Sequence, residues 1–133
     1  MHLSLDSAHG ELDDFLADRV PNRYVRLRLR DEHTISPMDD GVAASFDDLL
    51  DDLPEAEACW VLVHFGYADS DGDRIIEPVI LSWAPPAMRG SAGAQLVLGA
   101  RDIALRLTEP VPQILLTRRM SHQDVAQFLR SRH

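Results

Sequence analysis

Residues 58–83, ACWVLVHFGYADSDGDRIIEPVILSW, form the most apolar run of the chain, and a polar turn folds that run back on itself. Trp60 to Phe65 and Val79 to Trp83 are rich in β-branched and aromatic side chains, while Asp69-Ser70-Asp71-Gly72-Asp73 between them tolerates turn dihedrals. The stretch therefore predicts two paired strands near the middle of a sheet. Val61, Val63 and Phe65 alternate with Trp60 and Leu62, so the first strand is apolar on both faces, and only His64 interrupts it. Such a strand needs cover on both sides, which predicts helices on both faces of the sheet. Pro78 cannot donate to a sheet ladder, so the second regular strand is expected to begin after it.

Toward the N-terminus, Ala8, Leu12, Phe15 and Leu16 follow helical spacing within residues 5–18, and Pro21 ends that helix. Residues 24–30 alternate Val25, Leu27 and Leu29 with Arg26, Arg28 and Arg30, the period of a strand with one exposed polar face whose arginines pair with neighbouring acids. After a turn at residues 31–33, residues 34–38 form a short strand. Ser45, with Asp48 three residues on, opens a helix through a capping box; Phe46, Leu49, Leu50 and Leu53 face inward, and Pro54 marks the exit.

Toward the C-terminus, a rigid loop at residues 84–86 and the small residues 90–94 lead into a helix over residues 95–107, expected to be the longest. Leu96, Val97, Ala100, Ile103, Ala104 and Leu107 form its broad apolar set, which leaves Gln95, Gly99, Asp102 and Arg106 as a polar stripe. Ile114, Leu115 and Leu116 read as a buried strand. Ser121 and Asp124 form a second capping box, opening a last helix that buries Val125, Phe128 and Leu129. The order is helix, two strands, helix, two strands, helix, strand, helix: a single domain over residues 1–133 of mixed α/β class.

The chain of 133 residues is long enough to bury a core without disulfides or metals. No run of 18 apolar residues occurs and the N-terminus is acidic, so neither a membrane span nor a secretory signal is expected, and a cytoplasmic protein follows. A net charge of −9 argues against a nucleic-acid partner, since phosphate binding needs clustered cations. All 13 cations are arginine. Eight acids crowd residues 39–57 (Asp39, Asp40, Asp47, Asp48, Asp51, Asp52, Glu55 and Glu57), the pattern of a solvated helix face. Cys59, alone within a strand, reads as a small core residue.

Reactive groups are dispersed. The six histidines have no pair at metal-ligand spacing, and His64 reads as a core histidine. Asp69, Asp71 and Asp73 resemble the start of a calcium loop, but the glycine comes early and no bidentate Glu closes it. Neither a Gly-x-Ser-x-Gly elbow nor a Cys-x-x-Cys pair nor a phosphate loop is present. No catalytic residue, metal or cofactor is predicted. The rival from another class is a small hydrolase or ligand-binding domain using Asp39 and Asp40 with His33.

The same residues resemble the actin-depolymerising-factor homology family along nearly the whole chain. SFDDLLDDLPE (45–55) running into Cys59-Trp60-Val61 is similar to the family's second helix, its Leu-Pro exit and the aromatic strand that follows. The acidic turn Asp71-Gly72-Asp73-Arg74, Pro78 and Leu81-Ser82-Trp83-Ala84-Pro85 resemble its hairpin and strand-ending Trp-x-Pro. The resemblance implies a central mixed sheet of about five strands with helices on both faces, and a non-enzymatic, monomeric cytoskeletal protein without a cofactor. Its partner would be actin, as monomer or filament, or the branch-nucleating actin-related-protein complex. Residues 45–62 and 95–98 are most similar to glia maturation factor, and Thr34-Ile35-Ser36-Pro37 with Gly41 to coactosin. Where cofilins carry Arg-Ser-Lys-Met-Leu-Tyr, this chain has Gly93-Ala94-Gln95-Leu96-Val97-Leu98, without the two cations.

By the same resemblance, the long helix docks in a cleft between actin subdomains. That assigns partner contacts to Arg89, Gln95, Leu98, Arg101 and Asp102, with Leu98 divided between core and contact. A second surface, which touches the neighbouring filament subunit in relatives, maps to Asp71, Asp73 and Arg74 and to Gln123, Gln127 and Arg130 of the last helix.

Overall fold

The structure is a computed structural model that describes residues 4–5, 8–31, 34–54, 57–85, 93–107, 110–116 and 120–132. Its elements follow the predicted order: α1 (His9–Ala17), β1 (Arg23–Leu29), β2 (Ile35–Val42), α2 (Phe46–Asp51), β3 (Cys59–Ala68), β4 (Arg74–Trp83), α3 (Gly93–Arg106), β5 (Gln113–Leu116) and α4 (His122–Arg130). The strands make one five-stranded mixed sheet of order β2-β1-β3-β4-β5, antiparallel except for the β4–β5 pair. β3 is the central strand, as its apolar character on both faces requires.

Alternation along β3 sorts the core into two layers. Trp60 and Leu62 face α1 and α3, where Leu12, Phe15, Val25, Leu27, Ile80, Leu96 and Ile103 join them. Cys59, Val61, Val63 and Phe65 face α2 and α4, packing with Phe46, Leu49, Val79, Leu81, Val125 and Leu129. His64 falls in the first layer, fully buried. Its Nε2–H donates to the Phe15 carbonyl at 2.6 Å, and its ring stacks on Phe15 with centroids 4.0 Å apart.

The hairpin turn is built by Asp69, whose Oδ1 accepts from the backbone N–H of Asp71 and of Asp73, both at 2.9 Å. Gly72 takes φ of 86°, a value that glycine adopts without a Cβ penalty. At α2, Ser45 Oγ accepts from Asp48 N–H at 3.1 Å; at α4 both halves of the capping box form between Ser121 and Asp124.

Several details depart from the sequence reading. β4 begins at Arg74, so Pro78 lies inside it, opposite His64. The missing N–H is tolerated because β5 pairs only with residues 80–83, leaving β4 hydrogen-bonded on one side at Pro78. β2 runs to Val42, longer than expected, with a register shift beside Pro37. Arg26 is buried rather than on an exposed ladder, because α2 and β2 close over it. Phe128, expected in the core, is 38% exposed; Ala126 takes the inward position instead. No helix among the described residues is long and apolar enough to cross a membrane.

Candidate partner-binding site

α3 is the longest helix, 14 residues, and lies across the first layer of the core. Leu96, Ala100, Ile103 and Leu107 are buried, and Gly99 sits with them. A Cβ at Gly99 would lie 2.1 Å from Cζ2 of Trp60, so the indole rests directly on bare helix backbone. Trp60 Nε1–H donates to the Leu96 carbonyl at 2.9 Å. The polar stripe read from sequence therefore fails at Gly99. The outward line is Leu98, Arg101 and Leu105 with Val97 at its flank, rolled by about a quarter turn at 3.6 residues per turn.

Of the predicted residues on this face, Gln95 and Arg101 are exposed and Leu98 is 45% exposed, which places Leu98 on the surface rather than in the core. Asp102 is half-buried at the edge of the face. Arg89 lies outside the described residues. Val97, which the sequence places in the apolar set, is instead 53% exposed, and Leu105, outside both predicted sets, is 68% exposed. They belong to an apolar strip interrupted by one cation, Arg101. The signal for them was the spacing Leu98, Arg101, Leu105, which puts all three on one side of a helix. Reading it required knowing that Gly99 points inward.

The second set is brought together by α4. Its first residue, His122, donates from Nε2 to the Gly66 carbonyl at 2.8 Å and stacks on Phe65 with centroids 4.6 Å apart. Its last, Arg130, donates from Nε to the Ala68 carbonyl, also at 2.8 Å. Both ends of the helix are thereby tied to the hairpin end of β3. Asp71, Asp73 and Arg74 on the hairpin, and Gln123 and Gln127 on α4, are exposed, whereas Arg130 is half-buried with its Nε engaged. Phe128, beneath the Arg132 guanidinium at 5.9 Å, supplies an apolar contact the sequence reading had put inside.

Other chemistry is sparse among the described residues. One oxygen from each of Asp69, Asp71 and Asp73 can gather within 4.8 Å, but Asp69 already serves the turn backbone. Asp39, half of the rival acid pair, is bound by Arg26 Nε at 2.6 Å, and His33 lies outside the described residues. An open hollow of ≈ 390 Å³ beside α2 is lined by Tyr24, Ala43, Ala44, Asp48, Leu49, Asp51 and Asp52, and not by Asp39 or Asp40. Burial pushes the Cys59 thiol up to about 12, the property of a core residue rather than a nucleophile.

Comparison with known proteins agrees with this architecture. A cofilin from Streptomyces griseoflavus superimposes with a TM-score of 0.76 at 19% identity, covering 94% of this chain and 97% of the other. The ADF-like protein UNC-60A of Caenorhabditis elegans gives 0.78 at 14% identity, with coverage of 98% and 96%. Coactosin from Entamoeba histolytica gives 0.73 at 12% identity, covering 98% of each chain. These likenesses establish the fold. Curated protein sequences give no match. The family profile described as "Cofilin/tropomyosin-type actin-binding protein" matches residues 4–92, well over half of the sequence. The chain belongs to the cofilin/ADF family of actin-binding proteins.

Proposed function

We propose that this protein regulates actin turnover by binding, with α3 as the primary contact and the hairpin–α4 surface as the secondary one. The observation that carries this reading is the outward strip of Val97, Leu98 and Leu105 around Arg101. Folding leaves three large apolar side chains on one helix face in solvent, and burying them against a partner recovers hydrophobic free energy. Arg101 at their centre would orient the docked helix toward a carboxylate. Catalysis and cofactors have no part in this reading.

Actin itself, as filament or monomer, is the favoured partner, because the solved relatives named above are cofilin, ADF-like and coactosin proteins. The glia maturation factor reading, with the branch-nucleating complex as partner, rests on the similarity of residues 45–62 and 95–98 alone. Changed filament or branch turnover requires higher affinity for an altered subunit arrangement than for the ordinary one.

The test is co-sedimentation with purified actin filaments at low and physiological salt, beside a branch-dissociation assay. Saturable pelleting, weakened about tenfold by Leu98→Ala plus Arg101→Ala, is the expected result for a two-residue anchor. Faster debranching without pelleting would select the branch complex instead, and silence in both assays together with no binding to labelled actin monomer would refute the actin reading.

A further inference from the structure

We propose that Trp60 and Gly99 are a positioning pair that sets the roll of α3 about its own axis, and so decides which residues the helix offers to its partner. The inference rests on the reading of α3 as the binding helix.

Trp60 is 1% exposed and lies on β3, the most central strand. Its indole meets α3 at two points. Nε1–H donates to the Leu96 carbonyl at 2.9 Å, and the six-membered ring presses on the Cα of residue 99 so closely that a Cβ there would stand 2.1, 2.7 and 2.9 Å from Cζ2, Cε2 and Cη2. A carbonyl has two lone pairs, so Leu96 can accept from the indole as well as from the helix ladder. Residues 96 and 99 share one side of the helix, one turn apart. Leu98, Arg101 and Leu105 occupy the opposite side.

The rest of the buried face, Leu96, Ala100, Ile103 and Leu107, packs through apolar side chains. Such contacts are non-directional and permit small rolls and slides. A hydrogen bond and a flat ring seated on bare backbone do not. Glycine inside a helix costs about 1 kcal/mol relative to alanine, yet any side chain at residue 99 would displace the indole. The sequence accepts that local cost at the one place where it fixes the pose of the exposed strip.

A structural role alone would make affinity follow stability. A positioning role separates them: with the domain fully folded, a rolled helix still presents Leu98 and Arg101 to the wrong part of the cleft. Trp60→Phe keeps a ring in the core and removes the donor. The expected result is a folded protein whose affinity for purified actin filaments is about fivefold weaker, the size of one net hydrogen bond. The readout that a merely structural role would not move is this affinity measured well below the thermal midpoint. Gly99→Ala is expected to weaken binding further, and adding Trp60→Leu to relieve the clash should raise the midpoint above that of Gly99→Ala alone without restoring the affinity. In a Trp83→Phe background Trp60 is the single tryptophan; its emission should shift in Gly99→Ala and stay unchanged in Leu98→Ala and Arg101→Ala.

Parent affinity in Trp60→Phe, with Leu98→Ala and Arg101→Ala weakened, would overturn the positioning role and leave the α3 reading standing. Parent affinity in all of these variants would overturn both. Should Gly99→Ala fail to fold, Trp60→Phe decides alone.

Discussion

Arg26 on β1 and Asp39 on β2 stand directly opposite each other and form a two-pronged ion pair, Nε to Oδ1 at 2.6 Å and Nη2 to Oδ2. The third edge of the guanidinium reaches the Asp52 carbonyl at 3.0 Å and its carboxylate at 3.3 Å, so one side chain joins β1, β2 and the end of α2. The bond to Asp39 holds the guanidinium well above its ordinary range, and it remains charged at any working pH. Only 11% of the Arg26 side chain is exposed, against 43% for Asp39. Removing the acid therefore leaves a nearly buried cation with only the largely exposed Asp52 carboxylate as counter-charge. Asp39→Asn is expected to cost about 1–3 kcal/mol in urea unfolding, while Arg28→Ala, two residues along the same face but exposed, should stay within about 0.5 kcal/mol. Equal effects would show that the pair contributes nothing beyond ordinary surface charge.

Gly10 and Gly72 both have open space around the position where a Cβ would go, yet they should respond oppositely to alanine. Gly10 lies in α1, where alanine is the better helix former, so Gly10→Ala should stabilise by up to about 1 kcal/mol. Gly72 has φ of 86°, and Gly72→Ala should cost about 1–2 kcal/mol from backbone strain alone. Thermal midpoints moving in the same direction would contradict the turn geometry.

Much of the fold was legible because its determinants are local. The β3 alternation, the capping residues Ser45 and Ser121, and the turn at Asp69 to Asp73 each act within a few positions, and all appear where expected. What was not legible depends on partners distant in sequence. Pro78 is allowed within β4 because β5, some thirty residues later, stops short of it. Gly99 points inward because Trp60, on another strand, occupies its missing side chain's place. With Gly99 turned inward, the outward line is Val97, Leu98, Arg101 and Leu105, which keeps Leu98 and Arg101 of the expected contacts, adds Val97 and Leu105, and leaves Asp102 half-buried at the edge. Helical periodicity alone could not choose the outward face, since apolar residues from Leu96 to Leu107 run most of the way round α3.

Cys59 and Tyr67 make the domain sensitive to alkali. Burial pushes the Cys59 thiol from 9.0 to about 12 in the folded state. Above pH 9 the unfolded chain releases this proton first, so it binds fewer protons than the native state and stability falls as pH rises toward 12. Burial, and then the hydrogen bond to Glu77 at 2.7 Å, raises Tyr67 in the same sense. Below pH 9 neither group alters stability. Cys59→Ala should remove up to about 1.4 kcal/mol per pH unit from the slope between pH 9 and 11, as measured by urea unfolding across pH. At pH 8 the native thiol should resist alkylation until denaturant is added.

The hairpin–α4 surface separates filament binding from monomer binding, if it meets a second subunit as its family resemblance implies. Arg74 and Gln127 are exposed, so Arg74→Ala and Gln127→Ala should leave stability within about 0.5 kcal/mol and weaken filament co-sedimentation. Monomer binding, measured by the shift of labelled actin, should be unchanged. Arg130 differs because its Nε holds the Ala68 carbonyl and ties the end of α4 to the hairpin. Arg130→Ala should therefore weaken filament binding and also cost about 1 kcal/mol of stability. Filament affinity equal to the parent in all three variants would remove this surface from the interface and leave α3 as the contact under test.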